Sequence, residues 1–204
     1  MLRLGPLALA LGLTLAPALA LTPADDEPAQ PAPREALLSA VRADPGAFLG
    51  QELSFVLQLE SAVERWNPYL SRFGPVEHAR YRGWSDDRFL WDVDAFDDPA
   101  PYLFVRRKAP AARQLAEALP YERFAVRGTV REIFLGEPWI EVHAVERLPE
   151  QVSEGTILHA VRGLELLRER RSGLARAQLE RARAGFLPAG ARAELDRLIE
   201  SCDG

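Results

Sequence analysis

Hydrophobic and polar positions alternate along the middle of the chain, a pattern typical of half-buried β-strands. From residue 53 to residue 63, five apolar side chains share one face: Leu53, Phe55, Leu57, Leu59 and Val63. Shorter strands are predicted at 79–85 and 102–107. Two long strands are predicted at 123–134 and 139–148, joined by a turn at residues 136–138. In the first of these, Phe124, Val126, Val130 and Phe134 are expected inside, and Arg123, Arg127, Thr129 and Arg131 outside.

A helical period replaces the alternation at three places. Residues 34–48 predict a short helix, and residues 111–119 another that Pro120 ends. After residue 153 the spacing predicts three helices, separated near Gly173 and Gly185. Gly128 lies in the middle of a predicted strand, where glycine commonly marks a bulge or a bend.

The order of three strands, a short helix and a two-stranded hairpin over residues 53–148 resembles an OB-fold. The resemblance implies an α+β protein with a small five-stranded antiparallel β-barrel and a helix between strands three and four. A small open sheet with one helix packed on it is the alternative. We expect four segments: a signal peptide (1–20), a proline-rich acidic linker (21–34), the barrel (35–150) and a helical appendage (151–204).

The appendage is similar to a tetratricopeptide repeat in the spacing of Gly163, Ala175, Leu179 and Ala182. Arg162 and Pro188 depart from that motif. One such repeat cannot bury its own apolar face. The helices are therefore expected to pack on the barrel, on a second copy or on a partner, and packing on the barrel is the simplest arrangement.

The N-terminus has the three parts of a secretory signal peptide. Arg3 gives a positive start, an apolar run follows, and Ala18-Leu19-Ala20 supplies small residues for cleavage. An uncleaved anchor is the alternative. The pattern predicts an exported protein, periplasmic or secreted, with no membrane span after cleavage.

Composition narrows the function classes. With 48% hydrophobic and 27% charged residues, the chain is neither disordered as a whole nor a multi-pass membrane protein. The net charge of −5 disfavours nucleic acid as a partner. The chain has a single cysteine, Cys202, which excludes an internal disulfide and a Cys-based zinc site. Cys202 can form a disulfide only with another chain.

No group of residues has the pattern of a catalytic or metal site. The acidic stretch at residues 86–98 lacks the EF-hand spacing and is expected to be a solvated loop. Glu141 and His143 lie two apart on one strand face, but neither a nucleophile nor a third ligand accompanies them. We therefore expect no enzyme, no metal and no cofactor, and a hydrolase using the acidic stretch is the least favoured alternative.

A binding surface is the remaining candidate. OB-folds bind ligands through strands two and three and the loops that join strands one to two and four to five. Aromatic and arginine side chains occupy these places: Trp66, Tyr69, Arg80, Arg82, Trp84, Arg106, Arg107 and Trp139. Such side chains also pack commonly as core. The sequence predicts an exported, non-catalytic module that binds a protein or small ligand through this face. The alternative is an envelope assembly protein that acts through its C-terminal helices.

Overall fold

The computed structural model describes residues 32–67 and 72–203. The predicted signal peptide, most of the linker and Tyr69 lie outside these residues. The elements follow in this order: β1 (Arg34–Glu35), α1 (Leu38–Ala43), a 3₁₀ turn (Pro45–Phe48), β2 (Glu52–Val63), β3 (His78–Trp84), α2 (Val93–Phe96), β4 (Ala100–Arg106), α3 (Pro110–Ala116), β5 (Arg123–Phe134), β6 (Glu137–Arg147), α4 (Glu154–Arg168), α5 (Ser172–Ala184), α6 (Ala189–Glu200) and a final 3₁₀ turn (Ser201–Asp203).

Five strands close into a barrel. Their order is β2-β3-β4-β6-β5, and β5 pairs again with β2. The short β1 adds a parallel strand to the edge of β2. The α+β class and the OB-like barrel are confirmed, with α3 between the third and fourth barrel strands as expected. The barrel is mixed rather than purely antiparallel, because β4 and β6 pair in parallel.

The barrel interior is filled by the apolar face that the alternation predicts. Leu53, Leu57, Phe124 and Val126 are almost fully buried in one cluster. Gly128 lies at a register shift between β5 and β6. A Cβ atom there would lie 2.8 Å from the carbonyl oxygen of Glu141, so the close approach of the two strands requires glycine.

The prediction that Phe134 points into the barrel is wrong. A second register shift, between Val130 and Glu132, reverses the alternation in the last residues of β5. Phe134 therefore packs outside the barrel, against Trp139. The prediction for Arg123 also fails: the alternation assigns it to the outer, polar face, but it is buried and only 7% exposed.

The C-terminal helices pack against one another and against the segment between β3 and β4. Trp91 joins the apolar cluster of α4, α5 and α6, and Leu90 lies in a second cluster with Val152 and Ile157. The expectation of a solvated loop at 86–98 is therefore wrong for its apolar residues, which connect the barrel to the helices.

Several carboxylates of this segment also have local partners. Asp86 pairs with Arg123, and Asp98 accepts hydrogen bonds from Arg42 at 2.9 and 3.0 Å. Asp92 caps the N-terminus of α2. Within the described ranges, no helix is long and apolar enough to cross a membrane, and no group of three or more His, Cys, Asp or Glu residues is arranged to hold a metal ion.

Candidate functional site

The outer face of β3, β4 and β6 contains most of the predicted binding residues. On β3, Tyr81 points into the barrel, so Arg80, Arg82 and Trp84 lie on the opposite face. The register places His78 beside Arg106. These residues thus share one outer face of the barrel, whose parts differ in exposure.

Trp84 is a core residue and not a surface one. It is 2% exposed and stacks on Phe96 and Tyr121, with ring centroids 5.4 and 6.0 Å away. Its Nε1 donates a hydrogen bond to the Phe96 carbonyl oxygen at 3.1 Å. Val152 and Ile157 belong to the same cluster. The ring of Trp84 therefore joins the barrel to the helices and is closed to ligands in this structure.

A second aromatic cluster covers the outer face between β4 and β6. Trp139, 3% exposed, stacks on Tyr102 at 4.6 Å and on Phe104 at 5.1 Å. Phe73, from the segment between β2 and β3, lies over Phe104 at 4.5 Å. Trp66 is half-buried and donates from Nε1 to the Phe73 carbonyl oxygen at 2.9 Å. These aromatic rings hold that segment against the barrel.

Arg80 and Arg82 make contacts within the chain. The Nε of Arg80 donates to the Pro101 carbonyl oxygen at 2.8 Å, and its guanidinium lies 4.7 Å from the centre of the Tyr102 ring. Burial lowers the pKa of Arg80 from its ordinary value. Arg82 forms a bidentate ion pair with Glu60 at 2.7 and 2.8 Å. Both guanidinium groups are thus partly engaged before any ligand arrives.

Arg106 belongs to a group that the sequence reasoning did not assemble. Glu141 is 5% exposed and lies between two arginines. The Nε atoms of Arg106 and Arg131 each donate to a different oxygen of Glu141, both at 2.8 Å. Burial alone would raise the pKa of Glu141, but the two guanidinium groups outweigh it and lower the pKa from its ordinary value. The carboxylate is therefore held ionised and fixes both arginines.

Two cavities, of about 300 and 530 Å³, share Glu77 and Arg106 in their linings, and the smaller one is also lined by Glu141. We call the combined surface the basic cleft, and it is lined by Arg72, Phe73, Val76, Glu77, His78, Arg106, Arg107, Lys108, Arg131 and Glu141. Five of these side chains are cationic and two are carboxylates. The cleft is thus positive on a chain whose net charge is −5.

The cleft also contains a buried imidazole. His78 is 6% exposed, and its Nδ1 has no hydrogen-bond partner in the part of the chain that the structure describes. The ring meets Phe73 edge-on, with centroids 5.1 Å apart. Buried polar atoms of this kind are rare in folded proteins, so the atom marks a place where a further hydrogen bond would be favourable.

The arrangement is suited to binding an anion. Each guanidinium of Arg106 and Arg131 uses its Nε on Glu141, and its terminal N–H groups are the donors that bind carboxylates and phosphates. The exposed side chains of Arg106 and Arg131, 71% and 42%, leave these donors accessible. The alternation of strand faces gives one signal for the group, since it predicts that Arg131 points outside the barrel. Only the parallel pairing of β4 with β6 brings Arg106 to Glu141.

His143 and Cys202, the weaker candidates for chemistry, both contact residues outside the basic cleft. The Nε2 of His143 lies 2.8 Å from the Thr129 hydroxyl, while both Glu141 oxygens accept from arginine. The Sγ of Cys202 lies 3.3 Å from the Leu198 carbonyl oxygen, and burial raises the pKa of the thiol. A thiol with a raised pKa is a poor nucleophile.

No known protein-family profile matches the chain, and no curated protein matches it. Among solved structures, one that the chain resembles is described as a "putative aspartyl-tRNA synthetase" from Leishmania major Friedlin. The identity is 8% and the TM-score 0.39, over 80% of this chain and 34% of that one. This chain thus spans about a third of that protein.

Proposed function

We propose that the chain is an exported binding module that holds an anionic group in the basic cleft. The anionic group is the carboxylate or phosphate of a small ligand, or an acidic segment of a partner protein. The single observation that carries the proposal is the pair of guanidinium groups that the buried Glu141 holds 2.8 Å from its two oxygens. Export rests on the pattern of residues 1–20 alone.

The charge of the cleft supports this ligand class. Arg72, Arg107 and Lys108 surround the Arg106–Glu141–Arg131 group, and the carboxylate of Glu77 lies with them. A concentration of positive charge on an acidic protein steers anions to one place and speeds their association. The exposed Val76, at 88%, adds an apolar contact at the rim.

Binding of two probes tests the proposal: inorganic phosphate and a hexaglutamate peptide, each followed by isothermal titration calorimetry at low ionic strength. The variant Arg106→Ala removes one guanidinium and leaves Arg131 to pair with Glu141. We expect a loss of affinity of at least about tenfold, because a charge-assisted hydrogen bond contributes about 1.5–3 kcal/mol. Preference for hexaglutamate over phosphate would identify an acidic protein segment as the ligand, and the reverse a small anion.

Arg127→Ala is the matched control. Arg127 is an exposed arginine of β5, the same strand as Arg131, but it does not line the cleft. Its loss changes the net charge equally. Equal loss of affinity in both variants, or no binding of either probe to the unaltered chain, would refute a specific anion site.

Cleavage of the predicted signal peptide is tested separately. Protein recovered from the periplasm or the medium should begin at Leu21, as N-terminal sequencing would establish. Protein that retains Met1 and sediments with membranes would instead support the uncleaved anchor.

A further inference from the structure

The main-chain groups of β2 alternate between two directions. The N–H and C=O of Leu59 bond to the residues just before β5, with Leu59 N–H to Glu122 oxygen at 2.9 Å and Tyr121 N–H to Leu59 oxygen at 2.7 Å. The C=O of Ser54 instead accepts from the Ala36 N–H at 3.0 Å, on the opposite edge. Since this alternation has a period of two, Val56 directs its N–H and C=O toward the edge away from β5.

That edge is occupied on either side of Val56 but not at Val56. The pairing with β1 ends at Ser54, and the pairing with β3 begins at Gln58. Within residues 32–67 and 72–203, no turn or loop forms a main-chain hydrogen bond with Val56. Beyond Ala36 the chain turns into α1 and leaves the edge. A gap of about three residues, or roughly 10 Å at 3.3 Å per residue, remains in the sheet.

The gap opens into a cavity of about 590 Å³, a volume in the usual range for ligand sites. Its lining is mainly apolar and includes Leu37, Ala40, Phe48, Phe55 and Ala125. Of the charged side chains at its border, Asp86 pairs with Arg123 and Arg34 donates to Gln51, while Glu35 is exposed. An occupant is therefore selected mainly by main-chain hydrogen bonding and apolar contact.

We propose that this gap binds an extended segment of a partner protein, two or three residues long in contact, by adding it to the sheet at Val56. One residue of the segment donates its N–H to the Val56 carbonyl oxygen and accepts the Val56 N–H, as in peptide recognition by β-strand addition. An apolar side chain of the segment fills the cavity beside Leu37 and Phe55. The site is separate from the basic cleft and does not depend on the proposed anion binding.

Amide exchange and chemical shifts of the full chain, measured by NMR, test the site directly. In the free protein the Val56 amide should exchange faster than that of Leu57, whose groups face β5. The probe is the acetylated and amidated tetrapeptide Thr-Val-Val-Thr. It should shift the Val56 amide resonance and protect it from exchange. The same peptide N-methylated at both valines should bind about tenfold more weakly, because it lacks the donor.

Two substitutions in α1 keep the test specific to the cavity. Ala40 is exposed and lines the cavity, so Ala40→Trp should block the peptide. Ala43, exposed on the same helix but outside the cavity, gives the matched control Ala43→Trp. Equal affinity for the N-methylated peptide, or for both tryptophan variants, would overturn the proposal.

Protection of Val56 in the free protein would also overturn it. Protection that persists on dilution would mean that the chain's own N-terminal residues fill the gap. Protection that disappears on dilution would mean that a second copy does.

Discussion

At one end of the outer face of β3, Trp84 is 2% exposed and is enclosed by aromatic rings and by the first turn of α4. At the other end, His78 borders a cleft with five cationic side chains open to solvent. The two ends lie on one strand and have the same alternation. What differs is what surrounds them: apolar residues of the segment before β4 at the first, and mostly charged side chains from several elements at the second.

The comparison shows how one barrel face is divided between stability and binding. The Trp84 end excludes water and joins two parts of the fold, so substitutions there should lower stability. At the His78 end, the charged side chains around Glu141 remain partly solvated. Substitutions there should therefore change stability little and ligand affinity more. Four predictions, in order of expected effect, test this division.

Trp84→Ala should have the largest effect. Removing a buried indole leaves a cavity where the barrel meets the helices, and such substitutions cost about 3–5 kcal/mol of unfolding free energy. Urea denaturation followed by circular dichroism measures the loss. Val76→Ala, at an 88% exposed position of the other end, should stay within about 0.5 kcal/mol. A loss under about 1 kcal/mol for Trp84→Ala would show that the helices do not depend on it.

Arg123→Ala should come next. Arg123 is 7% exposed, pairs with Asp86, and has its guanidinium 4.6 Å from the centre of the Phe186 ring. Its loss leaves the Asp86 carboxylate without its partner and should cost about 3 kcal/mol. The double variant Arg123→Ala with Asp86→Ala should recover part of that loss in the same denaturation experiment. Additive losses would mean that the pair does not act as a unit.

Glu141→Gln should cost less, about 1–2 kcal/mol, since the arginines it pairs with are exposed to water. The pKa of Glu141 is lower in the folded chain than its ordinary value of 4.5. Its ionised form therefore stabilises the fold above that value, and the contribution is lost as the pH falls through the folded pKa. Denaturation between about pH 3 and pH 6 should give a shallower acid loss for Glu141→Gln. Parallel profiles for the two proteins would contradict this role.

Lys108→Ala should have the smallest effect on stability, within about 0.5 kcal/mol, because Lys108 is exposed and lies in the turn after β4. It should nevertheless reduce the salt dependence of hexaglutamate binding, since one cation of the cleft is lost. Calorimetry at two ionic strengths measures the slope. An unchanged slope would place Lys108 outside the site.

The contrast also changes how the helices can be studied. Deleting residues 152–204 would uncover Trp84, Leu90 and Trp91, so that variant would lose stability whatever its binding properties. Point substitutions on exposed residues are therefore the better test of the alternative in which the helices mediate assembly. Their similarity to a tetratricopeptide repeat remains a prediction.

Local patterns in the sequence were enough to place the five barrel strands, but not β1, which lies at the start of the helix predicted over residues 34–48. The alternation of residues 53–63 located β2, and the helical period after residue 153 located three helices. The same alternation failed at Phe134, because a bulge reversed the faces, and at Arg123, because a distant carboxylate and an aromatic ring covered it. For the binding face, the sequence indicated Arg106 and Arg107 but not the residues that surround them in the cleft. Trp84 and Trp139 were found as aromatic residues of the right face, but a single sequence does not indicate what covers them.

The sequence by itself determined the strand and helix periods and the α+β class, because these follow from which side chains avoid water along each segment. The tertiary structure decided which outward-facing residues are buried and which charges meet. Glu141 becomes the centre of the cleft because closing the barrel brings β4 and β5 to either side of β6. That meeting depends on strand register and closure between residues up to 35 positions apart, and no local pattern encodes them.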